Sequence, residues 1–402
     1  MLKMKRTDAD AVRKARDTIL GMRFCTWFGG AEGIAGGTRL FVAGNPDYPN
    51  VMHWSSLNNP LYFPENNCVY VGEDDNAITA FGKQSDMLVI FKERELYYTT
   101  YAQGSTVSAE DLESQAVVDV EAVAAIFPVR QLHAETGCDC PGTIKLCNNR
   151  LVWLNSDGKV YGLFSAGIYS ERNIRVLSLQ IERKLATFSV EKMKEATASC
   201  HEQHYLLLID GKLMVMDFSS YGFNYYGSFS SDEKAQKNVT WYIWETETDL
   251  CALVSTGKSV VLIAYDEDDK YRHTLVFDED KAVDDNPVYG KDLTRVGEIV
   301  SVLQTKLYDF GRFEWLKRVN SIHLHIDGDR GTIVDIGYVD DNGECVNRDR
   351  LTLSGRPIEE TAPRRLKPNK IRIRHFGMRL TASGRICIGG ISLTYSMMGV
   401  VR

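Results

Sequence analysis

The 402-residue sequence has no apolar run approaching the ~18–20 residues that a membrane-crossing helix needs. Membrane insertion by such a helix is therefore not expected. Its opening, MLKMKRTDADAVRKARD, is charged and has no apolar centre, so it does not read as a secretory signal. Cysteine is odd in number (nine) and scattered, with no dense cluster, which points to reduced thiols in a cytosol-made protein rather than a disulfide framework. Proline is scarcer than average, with ten in the chain, yet Pro46, Pro49, Pro60 and Pro64 crowd into VAGNPDYPNVMHWSSLNNPLYFPE at 42–65. Proline lacks the ladder N–H and favours turns and strand margins, so this stretch reads as a rigid crossing around a strand, Val51–Trp54. His53 and Trp54 invite a sugar-stacking reading, against which an ordinary packed strand is expected.

What remains is mostly β. Short strands such as RLFVAG, MLVIFK, RLVWLN, HYLLLI, KLMVMDF, SVVLIAY and SIHLHI alternate with turn pairs. Asp157-Gly158, Asp210-Gly211, Thr256-Gly257, Asn342-Gly343 and Ser383-Gly384 supply the positive-φ residues of tight hairpins. Two helical inserts stand out. One starts at Thr7 or Asp8 and places Val12, Ala15 and Ile19 on one face, and the other covers about 178–197 with Ile181, Leu185, Phe188 and Met193. Apolar central strands begin near Phe41, Leu88, Leu151, Leu206 and Leu253, a spacing of the order of one four-stranded propeller blade. The expected fold is all-β, with an N-terminal helix (1–21), a β-propeller of five or six blades (22–277), an acidic linker or loop (278–297) and a β-sandwich (298–402).

Several motifs look chemical but are expected to be structural. ALVSTGKS at 252–259 approaches a phosphate-binding loop, but a strand rather than a helix follows Ser259 and Ala252 replaces the first glycine. Without a helix N-terminus behind the loop there is no phosphate cradle, and a hairpin is expected. His133, Cys138, Cys140 and Cys147 lack the paired-cysteine spacing of a zinc site. His201 and His204 are three apart where a zinc-protease helix needs four, and are expected on one strand pointing to opposite faces. Acid runs such as Asp266–Asp269 and Asp278–Asp280 read as solvated loops, and no Gly-x-Ser-x-Gly elbow occurs. No catalytic, cofactor or metal residue is expected, and the chain is expected not to be an enzyme.

Charge is unevenly spread. Residues 301–402 carry 17 Lys and Arg against 11 Asp and Glu, so of the net −7 the first 300 residues carry −13 and the rest +6. No acid follows Glu360. The candidate partner-docking face is Arg364, Arg365, Lys367, Arg372 and Arg374; in KIRIRHF the isoleucines face inward and leave Arg372 and Arg374 outside.

Gly44-Asn45-Pro46, Tyr48-Pro49-Asn50, Ser55, Asn59-Pro60, Tyr62-Phe63-Pro64-Glu65 and Val71-Gly72 resemble a family of tailed-bacteriophage virion proteins. The resemblance runs on through Ile78, Gly82, Asp86, Leu88 and Phe91-Lys92-Glu93, around Glu171-Arg172 and Ser178 to Leu185, and in HYLLLIDGKLMVMDF with Trp241-Tyr242 and Trp244. TKLYDFG at 305–311, Lys317-Arg318 and the closing GISLTY are similar to the family's C-terminal sandwich. These are β-propeller proteins of the tail and head–tail region, like the tail nozzle or packaged-DNA stabilisation proteins of short-tailed phages. The resemblance implies a virion structural protein without an active site, made in the host bacterial cytoplasm. It implies adaptor, portal or other tail components as partners, a homo-oligomeric ring, and a conduit for DNA. An acidic body suits such a conduit because it repels phosphates. The alternatives are a propeller-type glycoside hydrolase with an appended sandwich, and a receptor- or glycan-binding module at the tail surface.

Overall fold

The computed structural model describes residues 9–29, 38–65, 67–101, 127–164, 173–218, 239–244, 249–266, 271–276, 283–285, 296–298, 300–343, 345–368 and 370–400. Most of them lie in antiparallel strands. The chain divides into two compact units, Met1–Phe277 and Asp278–Arg402.

Among the described residues the first unit is a series of five sheets, each built from strands consecutive in the chain. The first holds β1 (Phe24–Phe28), β2 (Arg39–Asn45), β3 (Tyr48–Trp54) and β4 (Cys68–Tyr70). The second holds β5 (Ile78–Gln84), β6 (Met87–Lys92), β7 (Leu96–Thr100) and β8 (Val129–His133). The third holds β9 (Lys145–Cys147), β10 (Arg150–Asn155), β11 (Lys159–Phe164) and β12 (Asn173–Val176). The fourth holds β13 (Thr197–His201), β14 (His204–Ile209), β15 (Lys212–Asp217) and β16 (Thr240–Trp244). The fifth holds β17 (Asp249–Ser255), β18 (Val260–Asp266) and β19 (Tyr271–Val276).

Successive sheets bury their faces on one another, which explains why the central strands read as unbroken apolar runs rather than alternating ones. In β6, Leu88 and Ile90 enter a core shared with Phe41, Met52 and Trp54 of the first sheet. Val89 and Phe91, on the opposite face, enter a second core with Trp153 and Leu151 of the third. In β14, Tyr205, Leu207 and Ile209 join that second core, while Leu206 and Leu208 meet Leu253 and Leu262 of the fifth sheet. Each such side chain contributes about 1.5–3 kcal/mol on burial. All five turn glycines, Gly158, Gly211, Gly257, Gly343 and Gly384, have positive φ.

The helices differ from expectation. The first, α1 (Ala9–Leu20), forms, but Ala15 and Leu20 are exposed and only Ile19 of its described apolar face is partly covered. The insert at 178–197 is two short helices, α2 (Glu182–Leu185) and α3 (Val190–Lys194), not one. The break occurs because Ser189 leaves helical geometry and its hydroxyl accepts the N–H of Lys192, starting a new helix. Ile181, Leu185 and Met193 still reach the core. Within 278–297, expected as an acidic linker or loop, β20 (Val283–Asp285) pairs antiparallel with β21 (Val296–Glu298); residues 277–282 and 286–295 lie outside the described ones.

In the second unit, besides the β20–β21 pair, two larger sheets are described, and one has the order β22 (Val300–Gln304), β28 (Gly377–Ser383), β24 (Ile333–Val339), β25 (Cys345–Thr352). The other centres on the fourteen-residue β23 (Trp315–Gly328). The fifteen-residue β29 (Ile386–Val400) runs along one side of β23, and β26 (Arg364–Leu366) and β27 (Lys370–Ile373) follow each other along its other side. Both sheets contribute to one core, including Ile322, Leu324, Ile336, Tyr338 and Leu380.

Candidate functional site

The candidate basic face lies on the outer edge of the β23 sheet. Arg364 and Arg365 pair across from Leu324 and His323, and β27 pairs beside Lys317–Val319. Leu366 and Ile373 point into the core, which turns Arg365, Lys367 and Arg374 to solvent; Arg364 is half-buried. The side chain of Arg372 lies outside the described residues, so its expected place beside Arg374 has no counterpart here. Among the described residues no carboxylate pairs with the side chains of Arg364, Arg365, Lys367 or Arg374, whereas Arg350 on β25 is paired with Asp335 at 2.8 Å. Edge strands studded with unpaired cations resist chance strand pairing and present a positive strip.

The turn carrying Arg374 is fixed from both sides. Lys317, fully buried, donates from Nζ to the Arg374 carbonyl at 2.9 Å and to that of Arg312. The Asp341 carboxylate accepts the N–H groups of Arg374 and His375 and lies 3.0 Å from His375 Nδ1. Burial opposes the charge on Asp341, but these donors outweigh it and hold its carboxyl below the usual carboxylate range.

A second buried lysine organises an acidic loop in the first unit. Lys92 ends β6, is fully buried, and donates to the carbonyls of Val71 (2.8 Å) and Glu73 (2.6 Å). Glu95 lies 3.9 Å away and the Tyr97 ring 5.7 Å below. Burial pulls the Lys92 pKa down against the opposing pull of Glu95, Asp75, Glu73 and Asp74. Gly72 has φ +62, and a Cβ there would come within 2.5 Å of Tyr97 Oη and 2.9 Å of the Lys92 ammonium. The loop is thus held by its backbone, and Glu73, Asp74 and Asp75 remain exposed.

Nearby, a polar cleft of about 590 Å³ is lined by Glu93, Arg94, Glu135, Asp139, Asp157 and Lys194, among others. Asp139 accepts Ser156 N–H at 2.9 Å and the Ser156 hydroxyl, and Lys194 lies at 3.5 Å. Burial disfavours its charge, but the Ser156 donors prevail and keep the carboxyl low.

Thr256–Ser259 is the turn of the β17–β18 hairpin, closed by Thr256 N–H to Ser259 O at 3.0 Å. Cys138, Cys140 and Cys147 fill the core between sheets, where burial pushes their thiols up. Among the described residues no group of three His, Cys, Asp or Glu is placed to hold a metal ion. His201 and His204 are not on one strand but face each other across a two-residue turn whose Glu202 has φ 50°. Trp54 stacks on Phe41 at 5.9 Å and meets Phe127 at 5.3 Å, so its ring belongs to the core rather than to a ligand. His53 is half-buried in β3 between Val42 and Cys68, and burial lowers its pKa. Lys92 and Lys317, which shape both charged patches, enter the sequence reading only through the family resemblance and not as site residues. Their signal in the sequence was a lysine set inside or ending an apolar strand.

No family model matches the sequence, and no curated protein matches it. Among solved structures the chain is similar to the exo-β-1,3-galactanase of Phanerochaete chrysosporium with galactose, at 8% identity and TM-score 0.29, over 90% of this chain and 95% of that one. It is also similar to a glycoside hydrolase family 43 arabinoxylan arabinofuranohydrolase of Bacillus subtilis in complex with cellotetraose, at 8% identity and TM-score 0.20, over 92% and 78%. At this identity and these TM-scores neither assigns an activity to this chain. Both neighbours are enzymes, which stands against the expectation that the chain is not an enzyme, and that expectation is withdrawn.

Proposed function

We propose that the chain is a structural protein of a tailed-phage virion, sited in the tail or at the head–tail interface. In this reading the five stacked sheets are blades of a β-propeller, and the two sheets sharing the second unit's core form a β-sandwich. The supporting observation is the serial order itself. Sequence-consecutive antiparallel sheets, each covering the face of the next, precede a separate unit in which two sheets share a core, which is the arrangement the sequence resemblance implies. Copies assemble as a ring about the DNA path, with adaptor, portal or other tail proteins as neighbours. The acidic first 300 residues keep phosphates from sticking. The protein is made in the host bacterial cytoplasm and resides in the virion. Mass spectrometry of purified virions of the encoding phage tests this: the chain is expected at a fixed ratio to the portal, and its absence overturns the reading.

A second reading, glycan cleavage, is favoured by the four carboxylates of the 590 Å³ cleft, Glu93, Glu135, Asp139 and Asp157. Asp139 is held ionised by Ser156, which suits a nucleophile or base and not a general acid. Turnover of a glycan panel, lost in Glu135→Gln or Asp157→Asn, decides for it; no turnover removes it.

A further inference from the structure

The two charged patches share a design. Each is fixed through backbone carbonyls by a fully buried lysine, Lys92 under the acidic loop and Lys317 under the Arg374 turn. A loop held in this way loses little conformational entropy when a partner arrives. Neither Arg365, Lys367 nor Arg374 has a carboxylate partner within the described residues. These cationic side chains sit on a chain whose first 300 residues carry −13.

We propose that the basic edge Arg365–Lys367–Arg374 docks a second copy of the chain through that copy's acidic first unit, with Glu73, Asp74 and Asp75 at the contact. This rests on the homo-oligomeric reading above and names its interface. A second copy is the favoured occupant because it brings an acidic surface of the required sign, already shaped by Lys92. Such a contact is heterologous, joining different surfaces of the two copies, so it can propagate and close into a ring. Its strength falls with salt because the opposing charges are solvent-exposed.

Two charge-reversed chains test it, one with Arg365→Glu and Lys367→Glu, the other with Asp74→Lys and Asp75→Lys. Circular dichroism and thermal melting establish that each is folded, and Asp74→Asn with Asp75→Asn serves if the lysine version is not. Mass photometry and sedimentation velocity are run at several salt concentrations, and duplex DNA binding is measured alongside. Wild type is expected to associate at low salt, and each reversed chain to associate at least about tenfold more weakly. Mixing the two reversed chains, or combining all four changes in one chain, is expected to restore association. Association of wild type untouched by either reversal overturns this interface while leaving the oligomer standing. Loss without restoration shows that the two patches do not meet, and also overturns it. Loss of DNA binding with association intact assigns the edge to nucleic acid instead. A wild type that is monomeric throughout removes the oligomer and the interface together.

Discussion

Asp327 shows how one carboxylate can secure a strand end. It is 1% exposed and accepts the N–H groups of Gly328 (2.9 Å), Ser354 (3.0 Å) and Gly355 (3.1 Å) as well as the Ser354 hydroxyl. The Ser354 hydroxyl is the main cause that pulls its pKa down to about 2, against about 3.9 for an unfolded aspartate. A depressed folded pKa means that the native state binds the proton less readily than the unfolded chain. The stability it contributes is therefore complete above about pH 4 and is lost as pH falls through about 2. Asp327→Asn should lower the melting temperature at pH 7, and the gap from wild type should shrink between pH 4 and pH 2. A gap that stays constant across that window would remove this role. Lys92→Met leaves the Val71 and Glu73 carbonyls without their buried donor, and is expected to cost about 1–3 kcal/mol by urea denaturation.

At the level of elements, burial on both faces is what made the strands readable. MLVIFK and HYLLLI are apolar at every second residue on both faces because a neighbouring sheet covers each side. Leu207→Ala in β14 should cost about 2–5 kcal/mol, since its methyl groups are wholly enclosed. Leu61→Ala should stay within about 0.5 kcal/mol, because Leu61 is 92% exposed. The turn glycines were equally legible, since positive φ narrows the choice of residue. The 178–197 insert was legible only in part. Its apolar spacing located the buried side chains, but the Ser189 cap that splits it competes locally with helix continuation and leaves no trace in periodicity. The basic edge was readable as charge without acid, and its position beside β23 was not, because pairing between residues 322–324 and 364–366 is a long-range property. The buried lysines were hidden for a related reason: their partners are carbonyl groups, which every residue carries.

For the whole molecule, separate cores bear on how stability is distributed. The first unit holds its apolar clusters around the five successive sheets, and the second has its own around Ile322, Leu324, Ile336 and Leu380. Units with their own cores can unfold as separate cooperative blocks, since melting one leaves the enclosed surface of the other intact. Calorimetry of the full chain is therefore expected to show two transitions. Leu207→Ala should lower one and Leu324→Ala the other, each by several degrees for a loss of about 2–5 kcal/mol. Asp327 lies in the second unit, at the end of β23, so the acid-dependent part of its effect should appear only in the transition that Leu324→Ala moves. A single transition shifted by all three substitutions would show that the two cores melt together, and that the division seen in the chain's contacts has no thermodynamic counterpart.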